Sequence, residues 1–365
     1  MLKYKAKLQG SLEMDFKLIQ TLNELQTVEN EYNSLLERIE DYQVFYEYEW
    51  IKNYILYYPD FCNNKKYQLQ IVTGWLNQQM VLCCPFCLYK KELHFICEEA
   101  TDYNTILVDK SFNVNSLLSE MWEYILANIK FNKICLKEFR ASNVLYNFYT
   151  ITDTKFGGKS FLKITTTAAY SNLPEDESKI TKSERSNIKR RTKKLLQNYD
   201  VKFEVFDYLT QEDLQFITPI RDKQFGKNIF TNGNSWKFFL ELNKALPNNF
   251  VVYKLFLHGE LSALSFCFKD AQKIYSYCTL YDSKYKKEGL GQILRSFIIQ
   301  DIIKNGGKKY DFMRGAEAHK AEYCDNIVPN FTLTAFPASR KNKIRVFLYK
   351  SVRYVSARIL GMKGV

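Results

Sequence analysis

The chain has 365 residues, of which 46% are hydrophobic and 25% are charged, a composition that excludes a disordered or fibrous protein. Its 52 Lys and Arg exceed its 40 Asp and Glu, and the net charge of +12 favours an anionic partner without selecting its class. The longest apolar run, over 80–89, is too short to cross a bilayer, and the start of the chain shows no signal peptide. We therefore expect a cytoplasmic protein with two domains.

The first 165 residues alternate between helical and strand-like patterns, which predicts a mixed α/β domain over 1–165. Helical runs extend to about residue 60, and short apolar segments over 67–108 are typical of strands joined by polar turns. The next elements are predicted as a helix over 115–130 and strands over 133–139 and 149–156.

Nine cysteines are scattered along the chain, mostly within apolar runs. Cys84 and Cys87 form one closely spaced pair, with Cys83, Cys97 and His94 nearby. Structural zinc sites usually combine two such pairs, or one pair with spaced histidines. Because a second pair is lacking here, we expect no metal, and we expect these thiols to pack as small hydrophobic groups in a reducing compartment.

An acidic, turn-rich connection over 171–178 leads into a strongly basic helix over 179–197. The few apolar side chains of this helix are Ile188, Leu195 and Leu196. We interpret this helix either as a solvent-exposed charged surface or as a binding surface for an anionic acceptor. A strand over 201–207 follows it, and Thr210 with Asp213 three residues later indicates the start of the next helix.

The order of elements after residue 250 is distinctive, because three consecutive strands precede a glycine turn and a helix. A fourth strand, a short helix and a last strand complete the series, which predicts a second α/β domain over 166–340. The elements are expected over 250–260, 261–270, 272–282, 291–305, 308–315, 316–326 and 331–339.

The glycine turn places Gly289, Leu290 and Gly291 after Lys286 and Lys287, directly before an apolar helix. A helix N-terminus exposes unpaired N–H groups, and glycines allow a phosphate to approach them closely. A Walker A loop would require Gly-Lys-Ser/Thr, and a Rossmann turn would require a third glycine; both are missing. The turn is similar instead to the pyrophosphate loop of acyl-CoA-dependent N-acyltransferases. An ordinary strand-to-helix turn is the alternative.

Two segments carry a resemblance to a family. The stretch YDFMRGAEAHKAEYC, over 310–324, resembles the FDF-x-x-G-x-x-x-YK signature of the CelD/BcsL-type acyltransferases of the GNAT superfamily. Asp311, Phe312, Gly315 and Lys320 stand at signature positions, and His319 replaces the usual aromatic residue.

The basic segment SERSNIKRRTKKL resembles the R-x-N-x-x-R segment of the same family, through Arg185, Asn187 and Arg190. The resemblance implies two tandem GNAT-like domains with the active site in the cleft between them. It also implies transfer of an acyl group from acetyl-CoA or another acyl-CoA to an amine on an amino sugar or a cell-envelope precursor. No metal is implied.

The resemblance also suggests roles for single residues. Gly289, Leu290, Gly291 and Gln292 are expected to hold the CoA pyrophosphate, with charge added by Lys286 or Lys287. A backbone N–H of the strand before them, over 275–280, is expected to polarise the thioester carbonyl.

The candidates for accepting the proton of the amine are Asp311, Glu317 and His319, although positioning alone is an open alternative. Lys320 is expected to stabilise developing charge, or to bind a phosphate or carboxylate of the acceptor. A surface ion pair with Glu317 is the alternative for Lys320. Arg185, Arg190 and Arg314 are assigned to the acceptor.

Residues 341–365 are predicted to form a basic amphipathic helix. Ile344, Phe347 and Leu348 share its apolar face, and Lys341 and Lys350 lie mostly off that face. Such a helix either makes a peripheral contact with an anionic membrane or packs back onto the first domain. We expect the packing.

Two other functions compete with acyl-CoA-dependent transfer. The first is aminoacyl-tRNA-dependent transfer to a peptidoglycan-type precursor, as in the FemAB branch, which shares the fold and the lysine. The second is nucleic-acid binding through the basic helix, which is disfavoured because no aromatic residues are interleaved with its charges and no recognition motif accompanies it.

Overall fold

The structure is a computed structural model, and it describes residues 14–58, 61, 67–155, 158–174, 182–225, 235–315, 320 and 326–359. Its helices are α1 (Leu22–Gln26), α2 (Glu29–Leu36), α3 (Tyr48–Tyr57), α4 (Val114–Asn128), α5 (Asn143–Thr150), α6 (Lys182–Asn198), α7 (Gln211–Phe225), α8 (Ser235–Ala245), α9 (Leu290–Lys304) and α10 (Arg340–Ile359).

Fifteen strands are found in the described ranges, and they are arranged in two sheets. They are β1 (Asp15–Ile19), β2 (Tyr67–Leu69), β3 (Ile71–Leu76), β4 (Gln79–Cys84), β5 (Phe86–Tyr89), β6 (Glu92–Phe95), β7 (Leu107–Val108), β8 (Lys133–Arg140), β9 (Lys159–Asn172), β10 (Val201–Phe206), β11 (Phe250–Leu257), β12 (Glu260–Lys269), β13 (Lys273–Tyr281), β14 (Lys309–Arg314) and β15 (Asn326–Phe336).

The smaller sheet has the order β1-β3-β4-β7, and the larger has the order β10-β11-β12-β13-β14-β9-β15-β8-β6-β5-β2. Within the larger sheet the same unit occurs twice. The parallel pair β6 and β8 is joined through α4, and the parallel pair β13 and β14 is joined through α9. A helical crossover is what a parallel pair requires, so the two halves of the chain repeat one topology.

The two halves exchange strands at the centre of the larger sheet. Strand β9 ends the first half in sequence, yet it pairs with β14 of the second half. Strand β15 ends the second half, yet it pairs with β8 of the first. The two exchanged strands also pair with each other, from Lys159–Phe336 to Tyr170–Asn326. The expected domain boundary after residue 165 therefore falls inside a strand that both halves share.

An aromatic cluster binds the helices of the first 58 residues to the sheet of the second half. The ring of Trp50 is fully buried and lies 4.8 Å from that of Phe268 and 5.7 Å from that of Phe238, centroid to centroid. Phe45 lies 5.3 Å from Tyr275 in the same cluster. Truncating a buried aromatic ring of this kind costs about 3–5 kcal/mol of unfolding free energy, so the N-terminal helices stabilise the second half substantially.

The opposite face of the same sheet carries α6 and α9. Ile188 and Leu195 of the basic helix are buried there beside Ile293 and Leu294 of α9. Leu196, the third apolar residue of the basic helix, is 58% exposed. The basic helix therefore packs on the sheet through one narrow side, which carries Ile188 and Leu195.

The predicted strand over 149–156 is wrong, because α5 covers its start and a π-helical turn follows. Ser142 caps α5 by accepting a hydrogen bond from the backbone N–H of Leu145, at 3.3 Å. Leu145 and Phe148 then bury one helical face. The β-branched residues of the segment favour a strand. The N-cap and the three-residue spacing of the buried side chains favour a helix, and a helix is what forms.

None of the helices in the described ranges is both long and apolar enough to cross a bilayer.

Candidate active site

Strands β13 and β14 open into a wedge in the middle of the larger sheet. They pair in parallel at three positions only, Lys273 with Lys309, Ile274 with Tyr310 and Tyr275 with Asp311. Strand β13 then continues for six residues and β14 for three, without further pairing between them. The main chain of β13 beyond Tyr275 therefore faces a gap, as expected for a strand that offers a backbone N–H to a bound carbonyl.

The glycine turn lies directly beyond that gap. Gly289 adopts a left-handed conformation with φ +72° and forms the N-cap of α9 without any side-chain cap. The first intrahelical bonds are donated by Gln292 and Ile293 to the carbonyl of Gly289, at 3.1 and 3.2 Å. The N–H groups of Leu290 and Gly291 precede those bonds and point out of the helix end, where an anion is stabilised by the helix dipole.

The equivalent helix of the first half is closed. Asn113 caps α4, and its side-chain oxygen accepts a hydrogen bond from the backbone N–H of Ser116, at 3.1 Å. A side chain therefore occupies the position that glycine leaves open in α9. Of the two repeated units, the second has the helix end suited to a phosphate.

Arg191 of the basic helix lies over the glycine turn. Its guanidinium Nη1 occupies the space that a Cβ at position 289 would take. The same nitrogen donates to Oε1 of Gln292 at 2.9 Å, and Nε2 of Gln292 donates to Oε1 of Glu184 at 3.0 Å. These two side-chain hydrogen bonds fix α6 to the start of α9.

The sequence analysis did not single out Arg191, although it directly follows Arg190 of the family segment. Arg190 itself is exposed and donates to Oδ1 of Asn187 at 3.0 Å. Arg185 is exposed as well, as are Lys286 and Lys287 beside the turn. The two segments that meet at this helix end are therefore both rich in basic side chains.

Asp311 lies on the other side of the wedge and joins the two halves. It is 2% exposed, and its Oδ1 accepts from the hydroxyl of Tyr103 at 2.6 Å and from the backbone N–H of Met313 at 2.9 Å. Burial raises the pKa of Asp311 above its usual value, and the hydrogen bonds and the charge of Arg140 oppose that rise. This geometry favours a role in positioning Tyr103 over abstraction of a proton.

Lys320 is buried and directed at the end of β14. Its Nζ donates to the carbonyl of Arg314 at 2.7 Å and, more weakly, to that of Met313 at 3.5 Å. Glu317 and His319, the other candidates of the signature segment, lie outside the described residues. In this structure Lys320 holds the end of β14 through these two carbonyls.

Arg314 pairs with two carboxylates of the first half. Its Nε lies 3.1 Å from Oδ1 of Asp102, and its backbone N–H donates to Oδ2 of the same residue at 3.1 Å. Its Nη1 lies 3.8 Å from Oε1 of Glu138. The charge of Asp102 raises the pKa of Arg314, so the guanidinium is held firmly charged at the junction.

Glu138 and Met313 both adopt left-handed backbone conformations, with φ +49° and +59°. Each lies in an irregularity of its strand, Glu138 in β8 and Met313 in β14. A non-glycine residue there costs about 1–2 kcal/mol, and such strain is concentrated at functional sites. The side chain of Glu138 is fixed by Thr166 and Asn330, which donate to its Oε2 at 2.6 and 3.2 Å.

Sequence reasoning missed Asp102, Glu138 and Tyr103, since each lies far from any motif. Nothing in the linear pattern signals them, because they reach the wedge only through the pairing of the two halves. With Asp311 and Arg314 they lie where the two halves of the chain meet.

The cysteines are separated by the fold rather than gathered. Cys83 and Cys87 lie in the aromatic cluster, whereas Cys84 lies in the core of the first half and contacts the sulfur of Met121. Burial raises the pKa of each of these thiols, so they are neutral. Among the described residues, no three His, Cys, Asp or Glu side chains are grouped as metal ligands would be.

The second half of the chain is similar to a known family. Residues 182–321 match a family model described as an acetyltransferase (GNAT) domain. No curated protein matches the chain.

Three solved structures resemble the whole chain. FemX has a TM-score of 0.59 at 10% identity, with 88% of this chain and 98% of FemX covered. A tandem GNAT protein from the clavulanic acid biosynthesis pathway has a TM-score of 0.52 at 9% identity, with 90% and 99% covered. A conserved protein of unknown function from Bacteroides thetaiotaomicron VPI-5482 has a TM-score of 0.53 at 13% identity, with 88% and 99% covered.

These similarities confirm the expected mixed α/β fold with two tandem GNAT-like domains. The family match is to an acetyltransferase (GNAT) domain, and it confirms the expected acyltransferase. The narrower assignment to the CelD/BcsL type stays a prediction.

Proposed function

We propose that the chain transfers an acyl group, in the first instance acetyl, from acyl-CoA to an amine on an amino sugar or a cell-envelope polysaccharide precursor. The observation that carries this proposal is the uncapped, left-handed N-terminus of α9 beneath Arg191, directly beside the open wedge of β13 and β14. This arrangement offers a pyrophosphate site and an acyl site within a few residues of each other.

The CoA pyrophosphate would be bound by the N–H groups of Leu290 and Gly291 and by the guanidinium of Arg191. Arg191 already lies at the glycine turn, and Gln292 fixes its orientation through the 2.9 Å hydrogen bond. Charge-assisted hydrogen bonds from a guanidinium to phosphate are stronger than neutral ones, so Arg191 adds affinity and direction. Lys286 and Lys287, both exposed, add charge at the rim.

The thioester would lie in the wedge, with its carbonyl oxygen bound by a backbone N–H of β13 beyond Tyr275. The amine attacks the thioester carbon, and the tetrahedral oxyanion is stabilised by that N–H. Collapse of the intermediate forms the amide and breaks the carbon–sulfur bond. The amine loses a proton, directly or through water, and the departing thiolate takes one up.

Asp102 is the carboxylate that we add to the earlier candidates for accepting that proton. Asp311 is buried and its Oδ1 already accepts two hydrogen bonds, whereas the side chain of Asp102 is 15% exposed beside Arg314. Glu138, whose Oε2 accepts hydrogen bonds from Thr166 and Asn330, adds a second negative charge 3.8 Å from Nη1 of Arg314. Glu317 and His319 stay predictions from the signature segment.

Arg185, Arg190 and Arg314 would bind an anionic group of the acceptor, such as the phosphate of an activated sugar. Arg185 and Arg190 are exposed on α6, and the side chain of Arg314 is 47% exposed at the junction. Lys320, held by two carbonyls, would maintain the end of β14 on which Arg314 depends.

The reaction is tested by measuring release of the CoA thiol from acetyl-CoA in the presence of free amino sugars and of nucleotide-linked amino sugars. The proposal predicts release that requires the amine and that forms one amide per thiol. Transfer from aminoacyl-tRNA, with no thiol release from any acyl-CoA, would contradict it and support the FemAB-like alternative.

A further inference from the structure

The C-terminal helix α10 has an apolar stripe that the protein leaves open. Ile344, Phe347 and Leu348 are 64%, 69% and 56% exposed. A single exposed apolar side chain is ordinary, but here three lie together on one side of one helix, and such a patch indicates a binding surface. We call Ile344, Phe347 and Leu348 the outer stripe.

The other side of α10 fixes the orientation of the helix. The ring of Tyr349 lies 4.9 Å from that of Phe161 and 5.7 Å from that of Phe336, centroid to centroid. Nη1 of Arg345 donates to Oδ1 of Asn132 at 3.1 Å. The helix does pack on the first half, as expected from the sequence, but with its polar and aromatic side inward and its apolar stripe outward.

Lysines flank the outer stripe on both edges. With about 100° per residue, Lys341 lies about 20° beyond Leu348, and Lys343 and Lys350 lie within about 60° of Phe347 on the opposite edge. All three lysines are exposed. A helix with apolar side chains in the centre of one face and lysines at both edges is typical of a helix that lies in the interface of an anionic membrane.

We propose that the outer stripe binds the protein to a surface of anionic phospholipid, with Phe347 and Leu348 inserted between headgroups and the lysines paired with lipid phosphates. A second copy of the chain is a poorer occupant, because association through this stripe would bring six lysines of like charge together. The inference stands independently of the proposed reaction.

The test is co-sedimentation of the full chain with vesicles of phosphatidylcholine, with and without phosphatidylglycerol. The wild type is expected to bind the mixed vesicles and not the neutral ones, and added salt is expected to weaken binding. The variant Phe347→Ser/Leu348→Ser should bind at least about tenfold more weakly, because the inserted apolar area is lost. Since these side chains are exposed, both changes should leave the fold intact.

Leu196→Ser is the matched control, since Leu196 is a similarly exposed leucine on the other basic helix. It should bind vesicles as the wild type does. The triple variant Lys341→Gln/Lys343→Gln/Lys350→Gln should lose the preference for phosphatidylglycerol. Failure of the wild type to bind the mixed vesicles would overturn the proposal, as would equal binding by the Phe347→Ser/Leu348→Ser variant. A dimer in solution that this double variant dissociates would overturn it as well.

Discussion

Arg191 and Gly289 show how one contact can link a binding site to its scaffold. The guanidinium occupies the space that only glycine leaves free, so the left-handed turn and the arginine are mutually dependent. The glycine could be predicted from its local pattern, but its partner could not. Arg191 is about a hundred residues away and is indistinguishable in sequence from the other charges of a basic helix.

Replacing Arg191 by Ala should raise the KM for acyl-CoA about tenfold, as expected when a charge-assisted hydrogen bond worth about 1.5–3 kcal/mol is partly replaced by water. The unfolding temperature should change little. Steady-state kinetics at saturating amine provide the measurement. Arg190→Ala, one residue away, serves as the control: it should leave the KM for acyl-CoA unchanged and raise that for an anionic acceptor.

The variant Asp311→Asn distinguishes a role of Asp311 in positioning Tyr103 from a role in accepting a proton. Asn keeps an oxygen in the place of Oδ1, which accepts both hydrogen bonds, but it cannot accept a proton. We expect kcat to fall by no more than about threefold, whereas loss of a general base typically costs about 10²–10⁴-fold. A loss in the latter range would restore Asp311 to the catalytic role that the signature predicts.

The same substitution should also change how the free energy of unfolding depends on pH. The pKa of Asp311 is raised in the folded state, so between its usual value and that raised value the folded chain binds more protons than the unfolded chain. This group therefore makes the wild type more stable as pH falls through that window and less stable as pH rises. In denaturant unfolding, Asp311→Asn should lack this contribution. An unchanged pH dependence would show that the pKa of Asp311 is not raised.

At the scale of elements, much of the fold could be predicted from local chemistry. The capping pair Thr210 and Asp213 is confirmed, with each backbone N–H donating to the side chain of the other at 2.9 and 3.1 Å. The strands and the helix around the glycine turn also lie where the pattern places them. The prediction of a strand over 149–156 is wrong, because its β-branched residues favour a strand while the cap and the spacing of buried residues favour a helix.

Two left-handed glycines provide a matched pair for the glycine turn. Gly306→Ala should cost about 1 kcal/mol of unfolding free energy and leave the KM for acyl-CoA unchanged, because a Cβ there meets no neighbour. Gly289→Ala should cost at least as much and also raise that KM, because its Cβ displaces Arg191. Denaturant unfolding and kinetics on both variants give the comparison. An equal KM for both would contradict the assigned role of the turn.

At the scale of the whole molecule, the exchange of β9 and β15 makes the halves interdependent. A fragment of residues 1–165 lacks β15, one of the two strands that pair with β8. A fragment of 166–365 lacks β8 and also residues 159–165, the half of β9 that pairs with the end of β15. Each fragment should therefore fail to unfold cooperatively when expressed alone, while co-expression restores a folded complex. A cooperative thermal transition in either isolated fragment would contradict this account.

The same exchange explains why only part of the candidate site could be predicted. The glycine turn and the signature segment are local patterns, and the turn and the described residues 310–315 and 320 lie near the wedge. Asp102, Tyr103 and Glu138 reach the wedge because strands distant in sequence pair there, and no local pattern specifies which strands pair. The cleft between the halves followed only from the family resemblance.

The central claim is that the N-terminus of α9 binds the pyrophosphate of CoA, and thermal unfolding with acetyl-CoA tests it most directly. A ligand at about 100 times its Kd raises the unfolding free energy by about 2.7 kcal/mol if it binds only the folded state. Gly291 suits the variants, because a Cβ there meets only the ring of Tyr281, at an ordinary 3.5 Å. The account predicts that acetyl-CoA stabilises the wild type and Gly291→Ala but not Gly291→Glu, whose carboxylate repels the phosphates. Equal stabilisation of all three, or of none, would contradict it.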